Sequence, residues 1–118
     1  MRVSDFPLYR YRATVRKIVD GDTAEVLMSM GDRLYCVRRI RILGFDAPEL
    51  IGVTHEAGGA ARDALALIIP IGSRVYIETK LDRVSFDRLL GIVYVEGSDG
   101  NLYKVSESMI AGGFGEAG

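Results

Sequence analysis

The chain has 118 residues, 48% of them hydrophobic, which supports one domain with a real core and excludes a disordered tail. Its formal net charge of −1 excludes nucleic-acid binding by bulk charge alone. No apolar run approaches the length of a membrane span, and a single cysteine, Cys36, excludes an internal disulfide. Residues 1–7 lack the apolar stretch of a signal peptide, so the expectation is an intracellular protein or one whose leader has been removed. The charge is unevenly spread. Residues 1–41 carry nine Lys and Arg against five Asp and Glu, whereas residues 42–118 carry six against eleven. Twelve of the fifteen cations are arginine, the residue suited to planar, bidentate phosphate contacts.

Tyr9 to Val19 alternates apolar and polar residues, which predicts a first strand. Asp20-Gly21-Asp22 is hairpin chemistry, and Thr23 to Ser29 reads as the second strand. After the turn at Met30-Gly31-Asp32 comes a third strand, Leu34 to Leu43, with Ile40 and Ile42 on one face and Arg39 and Arg41 on the other. Gly44 relaxes it, and Pro48 cannot donate to a ladder, so Asp46 to Glu49 reads as a rigid loop leaving the sheet.

Thr54 is a candidate cap for a helix running to about Ile69, with Ala57, Ala61, Ala64, Leu65 and Ile68 at helical spacing. Pro70 and Gly72 stop it. Ser73 to Thr79 is a fourth strand and Lys80 to Asp87 a polar loop. Leu89 to Val95 is a fifth strand, apolar on both faces and so central. Ser106 to Ala111 reads as a short helix, and Gly112, Gly113, Gly115 and Gly118 as a tail that packs little. Five strands, a helix between the third and fourth, and a short C-terminal helix predict a mainly β, α+β domain: a five-stranded OB-fold barrel over residues 1–118.

Three carboxylates, Asp22, Asp46 and Glu49, stand within thirty residues of one another, with Arg41 between the first two. Oxygen ligands suit a hard divalent ion and guanidinium forks suit phosphate, so the mixture points to phosphodiester chemistry. Asp-Gly-Asp alone is ordinary turn chemistry, and Asp-Ala-Pro-Glu alone is equally ambiguous. Both together, at strand ends that a barrel brings close, are much more specific. His55, at a helix start, reads as an exposed residue, and Cys36 as a small strand residue. Asp20 reads as a residue that orients the Asp22 turn. The tyrosines interleaved with the strands read as barrel or rim residues, though OB-folds do stack bases on such rings.

The ordered set Asp20-Gly21-Asp22-Thr23, Arg41-Ile42-Leu43-Gly44-Phe45-Asp46-Ala47-Pro48-Glu49 and Arg88-Leu89-Leu90-Gly91 resembles the staphylococcal nuclease (thermonuclease) family. With the intervening helix and the helix near Val105 to Gly113, the resemblance covers most of residues 9–113. It implies an OB-fold, metal-dependent nuclease acting on DNA or RNA, monomeric and not membrane-bound, with Ca²⁺ preferred to Mg²⁺. Asp22 and Asp46 would be the metal's carboxylate ligands, and Ala47 would add its main-chain carbonyl where the staphylococcal enzyme has threonine. Glu49 would be the general base, and Arg41 and Arg88 would grip the phosphate in the transition state.

Two features depart from the family pattern. Val84-Ser85-Phe86-Asp87-Arg88 stands in place of the usual Asp-Arg-Tyr-Gly-Arg, so Asp87 replaces a glycine beside the arginine. The family's further helix and pocket tyrosines have no counterpart before Gly118, through truncation or divergence. Two alternatives remain: a non-catalytic nucleic-acid-binding OB module descended from the nuclease, and a protein-interaction domain. Two of the carboxylates, Asp22 and Glu49, weigh against a bare binding module, because without a metal they repel phosphate.

Overall fold

The structure, a computed structural model, describes residues 9–48, 55–80 and 88–118. In chain order its elements are β1 (Arg10–Asp20), β2 (Thr23–Gly31), β3 (Leu34–Ile42), β4 (Phe45–Asp46), α1 (His55–Ile68), β5 (Arg74–Lys80), β6 (Arg88–Glu96), β7 (Leu102–Lys104), α2 (Val105–Ala111) and β8 (Glu116–Ala117). The main sheet runs β3-β2-β1-β5-β6-β7, and β3 also pairs with β6. That extra pairing closes β1, β2, β3, β5 and β6 into the expected five-stranded OB-like barrel. The five long strands and both helices fall where alternation and helical spacing put them.

Closure is the one parallel pairing of the barrel, Arg39 opposite Arg88 through Ile42 opposite Gly91. Gly91 makes it possible. A Cβ there would lie 2.9 Å from Ile77 and 3.0 Å from Ile40, so the inward step of β6 must have no side chain. Inside the barrel, alternate residues of each strand meet: Ala13 and Val15, Val26 and Met28, Ile40 and Ile42, Val75 and Ile77 are all buried. Leu65 and Ile69 at the end of the first helical run join the same core, as do Val105 and Met109 of α2. Fully burying one such side chain stabilises by roughly 1.5–3 kcal/mol.

Three features differ from the sequence expectation. The glycine-rich tail does pack. Phe114 lies partly buried against the core, and β8 pairs with β4 through Phe45 opposite Ala117 and Asp46 opposite Glu116. Its glycines serve close approach, since a Cβ on Gly115 would lie 2.6 Å from the Phe45 ring and 2.9 Å from the Asp46 carbonyl oxygen. Asp46 therefore does not begin a loop leaving the sheet; it sits in a short two-stranded ladder. Finally, β7 extends the sheet beyond the predicted five strands, pairing antiparallel to β6 after the turn at 97–100.

The Asp20-Gly21-Asp22 turn is a tight hairpin as expected, with Asp20 opposite Thr23. Its glycine also has a packing role. A Cβ on Gly21 would come within 2.7 Å of the Cβ atoms of both Ala47 and Ala61. Small residues at three positions thus let α1 and the segment after β4 close over the hairpin. Gly59, also on α1, has open space around its missing Cβ. Gly21→Ala should therefore cost about 1–3 kcal/mol by overpacking, whereas Gly59→Ala should stabilise by up to about 1 kcal/mol through helix propensity. Urea midpoints of the two variants should move in opposite directions.

Candidate functional site

The hairpin turn, the end of β3 and β4 meet at one end of the barrel. Antiparallel pairing sets Thr23 opposite Arg41, and the Ile42 N–H donates to the Asp22 carbonyl at 2.7 Å. Side chains alternate along β3, so burying Ile40 and Ile42 turns Arg41 away from the core toward that rim. Gly44, at φ +105°, then lets the chain turn sharply into β4, with Ser106 of α2 packed where a Cβ would stand.

The Arg41 guanidinium is the hub. Its Nη1 donates to the carbonyl oxygens of Ile42 at 2.6 Å and Phe45 at 3.2 Å. Nη2 donates to Asp46 Oδ1 at 2.6 Å and stands 3.4 Å from Asp22 Oδ2. Both candidate metal-binding carboxylates thus share one nitrogen. Their environments differ sharply: the Asp22 side chain is 16% exposed and that of Asp46 is 70% exposed. Among the described residues, no group of three or more His, Cys, Asp or Glu side chains converges on one point.

Asp22 is held from several sides. Its Oδ2 accepts the Ala47 N–H at 3.2 Å and its Oδ1 accepts the Thr23 hydroxyl at 3.3 Å. The Asp22 N–H donates to Asp20 Oδ1 at 3.0 Å, which fits Asp20 orienting the turn. Burial pushes the Asp22 carboxyl above the ordinary carboxylate range, and a hydrogen bond with the Asp20 side chain adds to this. The Ala47 N–H and the Arg41 charge act in the opposite direction and do not overcome it. Burial thus outweighs the Arg41 charge in setting the direction of the Asp22 shift.

The remaining candidates are placed as follows. Glu49 lies outside the described residues, as do Thr54 and Asp87. Arg88 opens β6 in the closing ladder opposite Arg39, and its side chain lies outside the described part of the structure. His55 is exposed, as the sequence suggests; on β3, Arg39 is exposed, Arg38 is half-buried and Cys36 is a half-buried free thiol. The carbonyl oxygens of Ile42 and Phe45, which anchor Arg41, have no signature in the sequence, because backbone groups carry none. Among the described residues, no helix is long and apolar enough to cross a membrane. Neither the family models nor the curated proteins compared with the chain give a match.

The raised Asp22 pKa has a sign that can be checked. The folded state prefers the neutral form, so its advantage over the unfolded chain is complete below the ordinary value of 3.8 and is lost as pH rises through the raised value. Asp22→Asn mimics the neutral form. In chelator it should melt above the wild type at pH 7, and the gap should close as pH falls below about 4. A lower melting temperature for the variant at pH 7 would reverse the assigned direction.

Proposed function

We propose that this chain is a Ca²⁺-dependent phosphodiesterase of the staphylococcal nuclease type, hydrolysing single-stranded DNA or RNA. The observation that carries the reading is the sharing of Arg41 Nη2 by the Asp22 and Asp46 carboxylates. Motifs that are ambiguous singly converge at one barrel rim, within one ion-pair network. The donors fit a hard cation: all are oxygens, and the Asp22 carboxylate is already half-buried at the rim. Asp22 and Asp46 would hold the ion, with the main-chain carbonyl of Ala47 as a third donor. Bound there, Ca²⁺ would supply Lewis-acid stabilisation of the charge that grows on phosphate oxygens.

The chain's own residues account for the rest of the chemistry. Glu49 takes the proton of the attacking water. Arg41 and Arg88 bind nonbridging oxygens, where a planar fork offsets developing charge in two places. Arg41 has to exchange its protein acceptors for phosphate oxygens to do so. Asp22 and Asp46 would release Arg41 to phosphate more readily when a bound cation supplied their counter-charge.

The same engagement of Arg41 by four protein oxygens favours one second reading, a nucleic-acid-binding OB module in which the cluster only braces the rim. The two readings separate in one assay. Single-stranded DNA incubated with the protein and Ca²⁺ should be degraded, and chelator should stop it. Binding without degradation at any Ca²⁺ concentration would leave the module reading. Neither degradation nor binding would leave a protein-interaction domain.

Two variants test the assigned roles. Ca²⁺ should raise the wild-type melting temperature by mass action, and Asp22→Ala should abolish that gain. Glu49→Gln should keep the gain but lose about 100-fold or more in turnover. Unchanged turnover in Glu49→Gln would remove Glu49 as the base, and a Ca²⁺ shift retained in Asp22→Ala would displace the metal site.

A further inference from the structure

Well down β1 from the Asp22 turn, strand register assembles a second feature on the outer wall of the barrel. Arg12 stands opposite Tyr76, Tyr76 opposite Tyr94, and Tyr94 opposite Lys104. Ala13, Val75, Ile77 and Val93, their neighbours along the strands, point into the core, so these four side chains all point outward. The result is one row across β1, β5, β6 and β7: two neighbouring phenol rings with a cation at each end. At ordinary strand spacing the row is about 14 Å long.

The rows on either side add to it. Arg10 stands opposite Glu78 and pairs with it at 3.2 Å, which neutralises that carboxylate. Thr14 stands opposite Arg74, and Glu96 opposite Leu102. Among the described residues, Arg12, Arg74 and Lys104 have no carboxylate within ion-pair distance. The face also carries two open clefts. One cleft of about 410 Å³ is bordered by Arg10, Arg12, Tyr76, Tyr94 and Leu102. A second, of about 390 Å³, is bordered by Arg74, Tyr76 and Glu96, so the two meet at Tyr76.

We propose that this outer face of β1, β5, β6 and β7 is a binding platform for single-stranded nucleic acid, distinct from the Arg41 cluster. Two bases stack on Tyr76 and Tyr94, and the flanking phosphates run toward Arg12 and Lys104. Base stacking on aromatic rings combined with cations that track the backbone is the chemistry of sequence-tolerant single-strand binding. A duplex would hide its bases and leave the two rings without a role. The local charge also fits: among the described residues, Arg12, Arg74 and Lys104 stand without an ion-pair partner on a face with one such carboxylate, Glu96, although the whole chain is slightly acidic. The platform goes beyond the hydrolytic reading and stands without it, since nothing in it depends on Asp22, Asp46 or a metal.

The test is fluorescence anisotropy of a labelled oligothymidylate titrated with protein in chelator, where hydrolysis at the other site is off. Tyr76→Ala and Tyr94→Ala should each weaken binding by about 5- to 150-fold, while Tyr76→Phe and Tyr94→Phe bind like wild type. Arg12→Gln and Lys104→Gln should each lower the slope of log affinity against log salt by about 0.7. Alanine variants that keep the wild-type circular dichroism and melting temperature yet bind equally well would overturn the platform. So would phenylalanine variants that lose as much as the alanine ones, wild-type protein that binds no oligothymidylate, or self-association through this face that the alanine variants abolish. Binding that behaves as expected beside an absence of Ca²⁺-dependent cleavage would overturn only the nuclease reading.

Discussion

The parallel pairing of β3 with β6 is the constraint on which the rest of the structure depends. Without it, β3 would be a sheet edge with unpaired backbone groups, and the inward faces of five strands would lie open. The pairing joins residues about fifty positions apart in the chain, and it works because Gly91 brings no side chain into the space that Ile40 and Ile77 fill. It continues past the strand as the Leu43 N–H donates to the Gly91 carbonyl at 2.8 Å. That bond fixes where the chain turns at Gly44, and so where Phe45 enters the core and Asp46 emerges at the rim.

The rim cluster is then a consequence of packing. Gly21, Ala47 and Ala61 are small enough for the hairpin, the segment after β4 and α1 to touch, and this closure withdraws Asp22 from water. A half-buried carboxylate needs compensation, and Arg41 supplies part of it while also bonding two carbonyl oxygens at the β3–β4 turn. Arg41 therefore has a structural load alongside any role toward phosphate. Packing holds one carboxylate partly dry against a guanidinium, with a second, largely exposed carboxylate on the same nitrogen. On the proposed reading, these two carboxylates would hold the hard cation.

The two candidate regions use different physics. At the rim, charge is concentrated, partly desolvated and geometrically fixed, which suits a reaction that builds charge in one place. Along the outer wall, ring faces and cations are spread over four strands, which suits an extended polymer held without reading its sequence. A near-neutral chain thereby carries a local electrostatic surface that its overall charge does not announce.

Much of this was legible in the sequence, because strand and helix periodicity is a local property. Alternation predicted the five barrel strands and which residues face inward, as at Ile40 and Ile42 against Arg39 and Arg41. Helical spacing predicted α1 to within a residue or two, and Asp22, Arg41 and Asp46 could be singled out as residue types suited to one chemistry. Only the tertiary structure decided what depends on distant register. It paired Phe45 and Asp46 with a tail that composition alone made look idle, because glycine counts do not reveal the close approach that glycine allows. It tied Arg41 to main-chain oxygens, which have no letter in a sequence. It also aligned Arg12, Tyr76, Tyr94 and Lys104, because nothing local in four separate strands states which residue stands opposite which; that is set by the closure of the barrel around its core.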